Sequence, residues 1–168
     1  MLKFKRIYDI SVALGTQAPV YPGDPEYRRS LVCSMDRGDD TDVSQLSLCA
    51  HSGTHIDLPA HFVQRSPTVE VIPPQEFILP ARVVEIEDRP AVSVADISGY
   101  KLRDFQALLC KTGNSLSGLV TSGRFSKDYV YLSPEAAEYC VEAGLRLVGL
   151  DYYSVDGYAV EGYPVHRL

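Results

Sequence analysis

Histidine is scarce in this chain, with four residues in 168, at positions 51, 55, 61 and 166. Other absences narrow the field before those four are weighed. The four cysteines, Cys33, Cys49, Cys110 and Cys140, form no Cys-x-x-Cys pair, so neither a zinc knuckle nor a redox dithiol is indicated. They read as reduced core residues, and burial is the expectation for Cys49 too, although it stands two residues before a histidine. No apolar run approaches about 18 residues, and the start, Met1 to Arg6, has basic residues without an apolar stretch behind them. A cytoplasmic protein is expected. Positive charge is in deficit: 16 Lys and Arg against 22 Asp and Glu leave a formal net charge of -6, which argues against general affinity for nucleic acid or an anionic membrane. Gly-rich phosphate loops, a Gly-x-Ser-x-Gly elbow, internal repeats and low-complexity tracts are all missing, so a nucleotide enzyme or a serine hydrolase has no support. A small molecule is the expected partner.

What is there describes an ordinary globular chain. With 45% hydrophobic and 23% charged residues, it can bury a core as a single domain spanning residues 1–168. Residues 7 to 14 read as a strand, followed by a stiff loop, Pro19 to Pro25, which could present Tyr21 to a ligand or keep it as a packed surface aromatic. The acidic stretch from Arg28 to Asp42 reads as a solvated connection. Val43 to Ala50 alternates as a strand with Leu46, Leu48 and Ala50 on one face, and strands follow at Arg82 to Glu87 and Ala107 to Thr112. Asn114 to Phe125 is either a mobile lid or a surface loop. A short helix is expected near Val94 to Ser98. A firmer one begins at Pro134, capped by Ser133, carries acids in its first turn and ends at Gly144 before a strand, Leu145 to Leu150. The class is α+β.

Chemistry concentrates in residues 51 to 62, where three of the four histidines and Asp57 fall within eleven positions. Imidazole nitrogen and carboxylate oxygen are the donors a divalent ion uses. His51, Gly53, His55, Asp57, Pro59 and His61 are alternate residues, so an extended chain would present them on one face. Helix is disfavoured by Gly53, Pro59 and the β-branched Thr54 and Ile56. A straight strand, however, would part His51 from His55 by about 13 Å, too far for two ligands of one ion. The backbone must therefore bend, and Gly53 is the residue able to do it.

The stretch resembles the His-x-Gly-Thr-His-x-Asp-x-Pro-x-His motif of the cyclase-like metal-dependent amidohydrolases, the family of bacterial kynurenine formamidase and isatin hydrolase; every fixed position is matched. Asp9-Ile-Ser, the Tyr21-Pro-Gly-Asp24 run, the Gly149-x-Asp151-x-x-Ser154 segment and Pro164-Val-His166-Arg also resemble family segments. The resemblance implies the compact β/β/α swivelling domain of that family, assembled as a dimer or tetramer. It implies His51, His55 and Asp57 as ligands of a first metal, Asp57 and His166 as ligands of a second, His61 as the general acid/base, and Tyr21 in a wall of the substrate pocket. The metal would be zinc, with manganese as the alternative, and the reaction hydrolysis of an amide, formamide or cyclic amide. In the family the chain continues beyond the last histidine through further strands that carry a metal-holding glutamate, whereas this sequence stops at Leu168. A weakly active or non-catalytic metal-binding relative that assembles as an oligomer is the alternative expectation.

Overall fold

The computed structural model describes residues 5–87 and 89–168, so residues 1–4 of the amino-terminal reading lie outside the described residues. The chain divides into two compact units, Met1–Ile56 with Thr121–Arg124, and Asp57–Val120 with Phe125–Leu168.

The first unit is built on β1 (Arg28–Cys33) and β2 (Val43–Ser47), paired antiparallel with a register irregularity between Leu31 and Cys33. The acidic segment joining them is more than a solvated connection. Asp39 accepts the Ser34 backbone N–H at 2.6 Å and Asp42 accepts that of Met35 at 2.8 Å, while Arg37 donates to the carbonyls of Leu31 and Val32. Short carboxylates thus satisfy backbone donors that a tight turn leaves open. The strand expected over residues 7 to 14 does not form: it takes part in no ladder among the described residues, and Ile7, Tyr8 and Ile10 are exposed. β-Branched composition favours an extended chain, but a strand also needs an edge to pair with. Leu46 and Leu48 are likewise exposed, because a two-stranded sheet has no second layer of its own to cover a face.

The second unit holds the buried core. β3 (Ala81–Glu85), β5 (Ala107–Lys111) and β7 (Leu147–Leu150) form a parallel sheet in the order β3-β5-β7, with Ala107 opposite both Ala81 and Leu147. β4 (Ala91–Val92) pairs in parallel with β6 (Tyr131–Leu132). Parallel neighbours require crossover connections, and these carry the helices α1 (Val94–Ile97), α2 (Gly113–Leu116) and α3 (Pro134–Glu142). Asp96 accepts from both the backbone N–H and the hydroxyl of Ser93, which fixes the start of α1. α3 begins as read from sequence: Ser133 Oγ accepts the Ala136 N–H and Pro134 occupies the first turn. Its inward face, Ala136 and Cys140, packs with Val84, Leu108, Ile97, Leu102 and Leu132, all nearly inaccessible to solvent. Burying each large aliphatic side chain contributes about 1.5–3 kcal/mol, so this cluster is the main stabilising element of the unit. Cys110 and Cys140 are core residues as expected, whereas Cys33 and Cys49 are only half-buried. The segment after Asn114, read as unpatterned, is partly helical: α2 is capped by Thr112 Oγ1, which accepts the Asn114 N–H at 3.1 Å. No helix among the described residues is long and apolar enough to cross a membrane.

Candidate metal centre

β2 ends at Ser47, and the chain then turns at Cys49, whose carbonyl accepts the Ser52 N–H at 3.1 Å. Gly53 follows with φ +68°, in the left-handed region that Cβ sterics close to most residues. A Cβ placed there would stand 2.7 Å from Leu14 Cδ2, so the end of that side chain would have to shift as well. Thr54 Oγ1 accepts the Val12 N–H at 3.0 Å and fastens the turn to the preceding segment.

The turn brings the first two histidines face to face. Nδ1 of His51 and Nε2 of His55 are 3.3 Å apart, with the rings edge-on at 78°. Nδ1 of His55 lies 2.9 Å from the Gly53 carbonyl. A carbonyl oxygen can only accept, so this contact assigns the proton to Nδ1 and leaves Nε2 of His55 with its lone pair in the neutral ring. Two nitrogens each bound at about 2.0–2.1 Å to one tetrahedral ion stand about 3.3–3.4 Å apart. The His51–His55 pair fits that spacing.

Downstream, Pro59–His61 forms a single 3₁₀ turn, with the His61 N–H donating to the Leu58 carbonyl at 2.9 Å and the Val63 N–H to that of Pro59 at 2.8 Å. Proline suits that first position because its missing N–H would have found no partner there. Asp57 and His61 add a carboxylate and an imidazole to His51, the donor types of a candidate His/Asp/His metal group. His51 is half-buried, whereas Asp57 and His61 are exposed. The alternating positions therefore lie on a bend and a turn, not along one strand face.

His166 belongs to a different contact set. Its Nδ1 lies 2.5 Å from Oδ2 of the buried Asp156, and its ring stacks on Phe62 with centroids 4.3 Å apart. Phe62 in turn meets the His61 ring edge-on at 4.4 Å. Asp156 was not singled out as a partner of the histidine by sequence reasoning; the Ser154-Val-Asp156 run next to the family-like segment was the available signal. Tyr21 is half-buried, and its carbonyl accepts the Asp24 N–H at 3.0 Å. The carboxylate of Asp24 receives the Cys49 thiol at 3.5 Å, which ties the proline-rich loop to the strand that leads into His51.

The model of the family described as "Putative cyclase" matches residues 8–157. This chain belongs to the Cyclase family. The match takes in the whole donor stretch and stops short of His166. Among curated relatives, the kynurenine formamidase of Geobacillus thermodenitrificans is 29% identical over 158 residues, covering 94% of this chain and 74% of its own. That of Bacillus cytotoxicus is 26% identical over 150 residues, covering 89% and 70%. Two solved structures share the fold: a "Potential Metal-Dependent Hydrolase With Cyclase Activity" (TM-score 0.73, 27% identity, covering 95% of this chain and 74% of that one) and a "predicted metal-dependent hydrolase" from Bacillus stearothermophilus (0.74, 26%, covering 95% and 75%). An isatin hydrolase, at 17% identity and TM-score 0.72 over 95% of this chain and 73% of that one, shows the likeness of fold alone. The Cyclase-family chain thus has the mixed helix and strand fold of the kynurenine formamidase type, and its His/Asp/His group is a fit for a divalent metal.

Proposed function

We propose that this chain is a metal-dependent hydrolase that cleaves a non-peptide C–N bond in a small amide, formamide or cyclic amide. The observation that carries the reading is the His51–His55 pair, held at a zinc-like spacing in a stretch where Asp57 and His61 supply the further donors of a His/Asp/His group. The match to kynurenine formamidases over most of the chain supports the C–N bond as the target.

His51, His55 and Asp57 would hold a first divalent ion, zinc or manganese, and Asp57 with His166 a second. When bound, such an ion supplies Lewis acidity toward a carbonyl oxygen and acidifies water. The chain's own residues do the rest. The Gly53 carbonyl keeps the His55 tautomer that leaves Nε2 available to a metal. His61, exposed on its 3₁₀ turn, moves a proton between water and the departing nitrogen, the general acid/base work for which imidazole is the commonest side chain. Tyr21 lends an aromatic face to the substrate from a loop that proline stiffens and Asp24 anchors. The partners are a small amide substrate and further copies of the same chain. The exposed Val32, Val43 and Leu46 on the β1–β2 sheet support assembly as a dimer or tetramer, which sedimentation would read directly.

The functional test is to strip the protein with chelator, restore zinc or manganese, and assay hydrolysis of an N-formyl arylamine and of a lactam. Metal-dependent turnover of either is the expected result. No turnover above the stripped protein with either ion, in a preparation that binds the metal, would remove the hydrolase reading.

A further inference from the structure

The carboxylate of Asp156 is among the most deeply buried charged groups of the chain, at 2% exposure, and lies outside the 51–61 stretch. It has three donors on it. Oδ1 accepts the Val165 N–H at 2.9 Å; Oδ2 accepts the His166 N–H at 3.2 Å and faces His166 Nδ1 at 2.5 Å. Its backbone is fixed just as firmly. The Asp156 carbonyl accepts the hydroxyl of buried Tyr129 at 2.8 Å, its N–H donates to Ser154 Oγ at 3.2 Å, and the neighbouring Val155 carbonyl accepts the Leu132 N–H at 2.9 Å. Hydrogen bonds therefore anchor the Val155-Asp156 backbone to β6 and to Tyr129, and the Asp156 side chain extends from that anchored backbone to one nitrogen of one imidazole.

A buried carboxylate is costly unless hydrogen-bonded, so an arrangement that spends one oxygen on an imidazole calls for a reason. Packing alone does not need it, since Phe62 already stacks on the ring and Tyr163 contacts both. The carboxylate does what stacking cannot: it selects which nitrogen bears hydrogen. Two carboxylate oxygens can only accept, so Nδ1 donates, and the lone pair of the neutral ring is left on Nε2. Imidazoles that bind a metal characteristically donate their other N–H to a carboxylate or backbone carbonyl, which sets the tautomer and makes the ligating nitrogen more basic. His55 uses the Gly53 carbonyl in the same way.

We propose that Asp156 is the positioning residue of His166: it holds the ring in the Nδ1–H form so that Nε2 is presented to a divalent cation. The inference rests on the reading of His166 as a metal-facing residue, and it concerns binding, not turnover.

The test has two readouts, neither of which is activity. Long-range ¹H–¹⁵N spectra of histidine-labelled, metal-free protein report the tautomer of each imidazole, and zinc titration of the stripped protein reports affinity. In the wild type His166 should be Nδ1–H. Asp156→Asn, whose amide offers a single acceptor oxygen where three donors converge, should shift His166 toward Nε2–H and weaken the zinc class that His166→Ala abolishes by about 10- to 100-fold, the usual cost of losing such a partner. An Nε2–H His166 in the wild type overturns the proposal, and needs no variant to fold. So does a zinc titration that His166→Ala leaves unchanged, or a folded Asp156→Asn variant that binds zinc as the wild type does. If zinc binding depends on Asp156 but neither the formamide nor the lactam is hydrolysed, this inference stands and the hydrolase reading falls.

Discussion

Nδ1 of His51 and Nε2 of His55 face each other across 3.3 Å, and the peptide between them passes through a left-handed glycine. The spacing of the two rings is therefore set by a backbone angle, so a residue with no donor atom controls whether the donors meet.

Gly53→Ala should accordingly disturb metal binding without touching a ligand. The added Cβ meets both a positive φ and Leu14, and a non-glycine residue in a sparsely populated region costs about 1–3 kcal/mol. Denaturant unfolding should show a loss of that order, and zinc titration of the folded fraction a weaker site. A variant as stable and as tightly zinc-bound as the wild type would show that the turn can be made another way.

Removing ligands should act on metal content directly. A His51→Ala/Asp57→Ala double variant takes two of the three donors of the His/Asp/His group, so elemental analysis of the purified protein should find the first ion lost. Equal metal in variant and wild type would place the ion elsewhere.

His61 should separate from its neighbours by what it leaves intact. If it transfers protons, His61→Ala lowers kcat by about 10²- to 10⁴-fold while metal content is kept. Its imidazole belongs to the same His/Asp/His group as His51 and Asp57, so parallel loss of metal would make it a ligand instead.

The cysteines should divide into two pairs. Burial pushes the Cys110 thiol up to about 12 and the Cys140 thiol up to about 11, and both belong to the core. Alkylation of the native protein at neutral pH should reach the half-buried Cys33 and Cys49 first. The raised values also fix the direction of a stability trend. An unfolded thiol loses its proton near about pH 8.5, while the folded one keeps it beyond that; the unfolded chain then binds fewer protons, and stability falls as pH rises from about 9 toward 11. Urea midpoints across that window should fall more steeply for the wild type than for Cys110→Ala. Parallel slopes would mean that Cys110 is not a source of the alkaline loss.

What could be read from sequence was whatever depends on local chemistry. Ser133 and Pro134 are capping residues wherever they occur together, and α3 starts where they stand; β5 and β7 lie within the stretches that suggested them, and β3 overlaps its own from Arg82 to Glu85. The need for a bend at Gly53 followed from reach alone and appears as a positive φ. What failed was anything that needs a neighbour. Ile7 to Leu14 has strand composition, but ladder formation depends on an edge that composition does not supply, and the alternation that puts Leu46 and Leu48 on one face does not say whether a layer covers that face. The donor group was visible as a list of residues and invisible as a geometry. Alternation suggested a shared strand face, whereas the same residues lie on a glycine bend and a proline-led 3₁₀ turn. Asp156 was the hardest to assign, since it stands ten positions before the ring it holds and no periodicity connects them.

The same carboxylate has a kinetic consequence. Because Asp156 alone receives the amide protons of both Val165 and His166, those two protons have a common gate. Neither can meet solvent freely until the carboxylate lets go, so in native-state hydrogen exchange they should open as one unit. In Asp156→Asn their protection should collapse together, while the amides of the β5 ladder keep theirs. The closing segment of the described chain would then be a latch with a single catch, whose lifetime can be timed without any metal or substrate present.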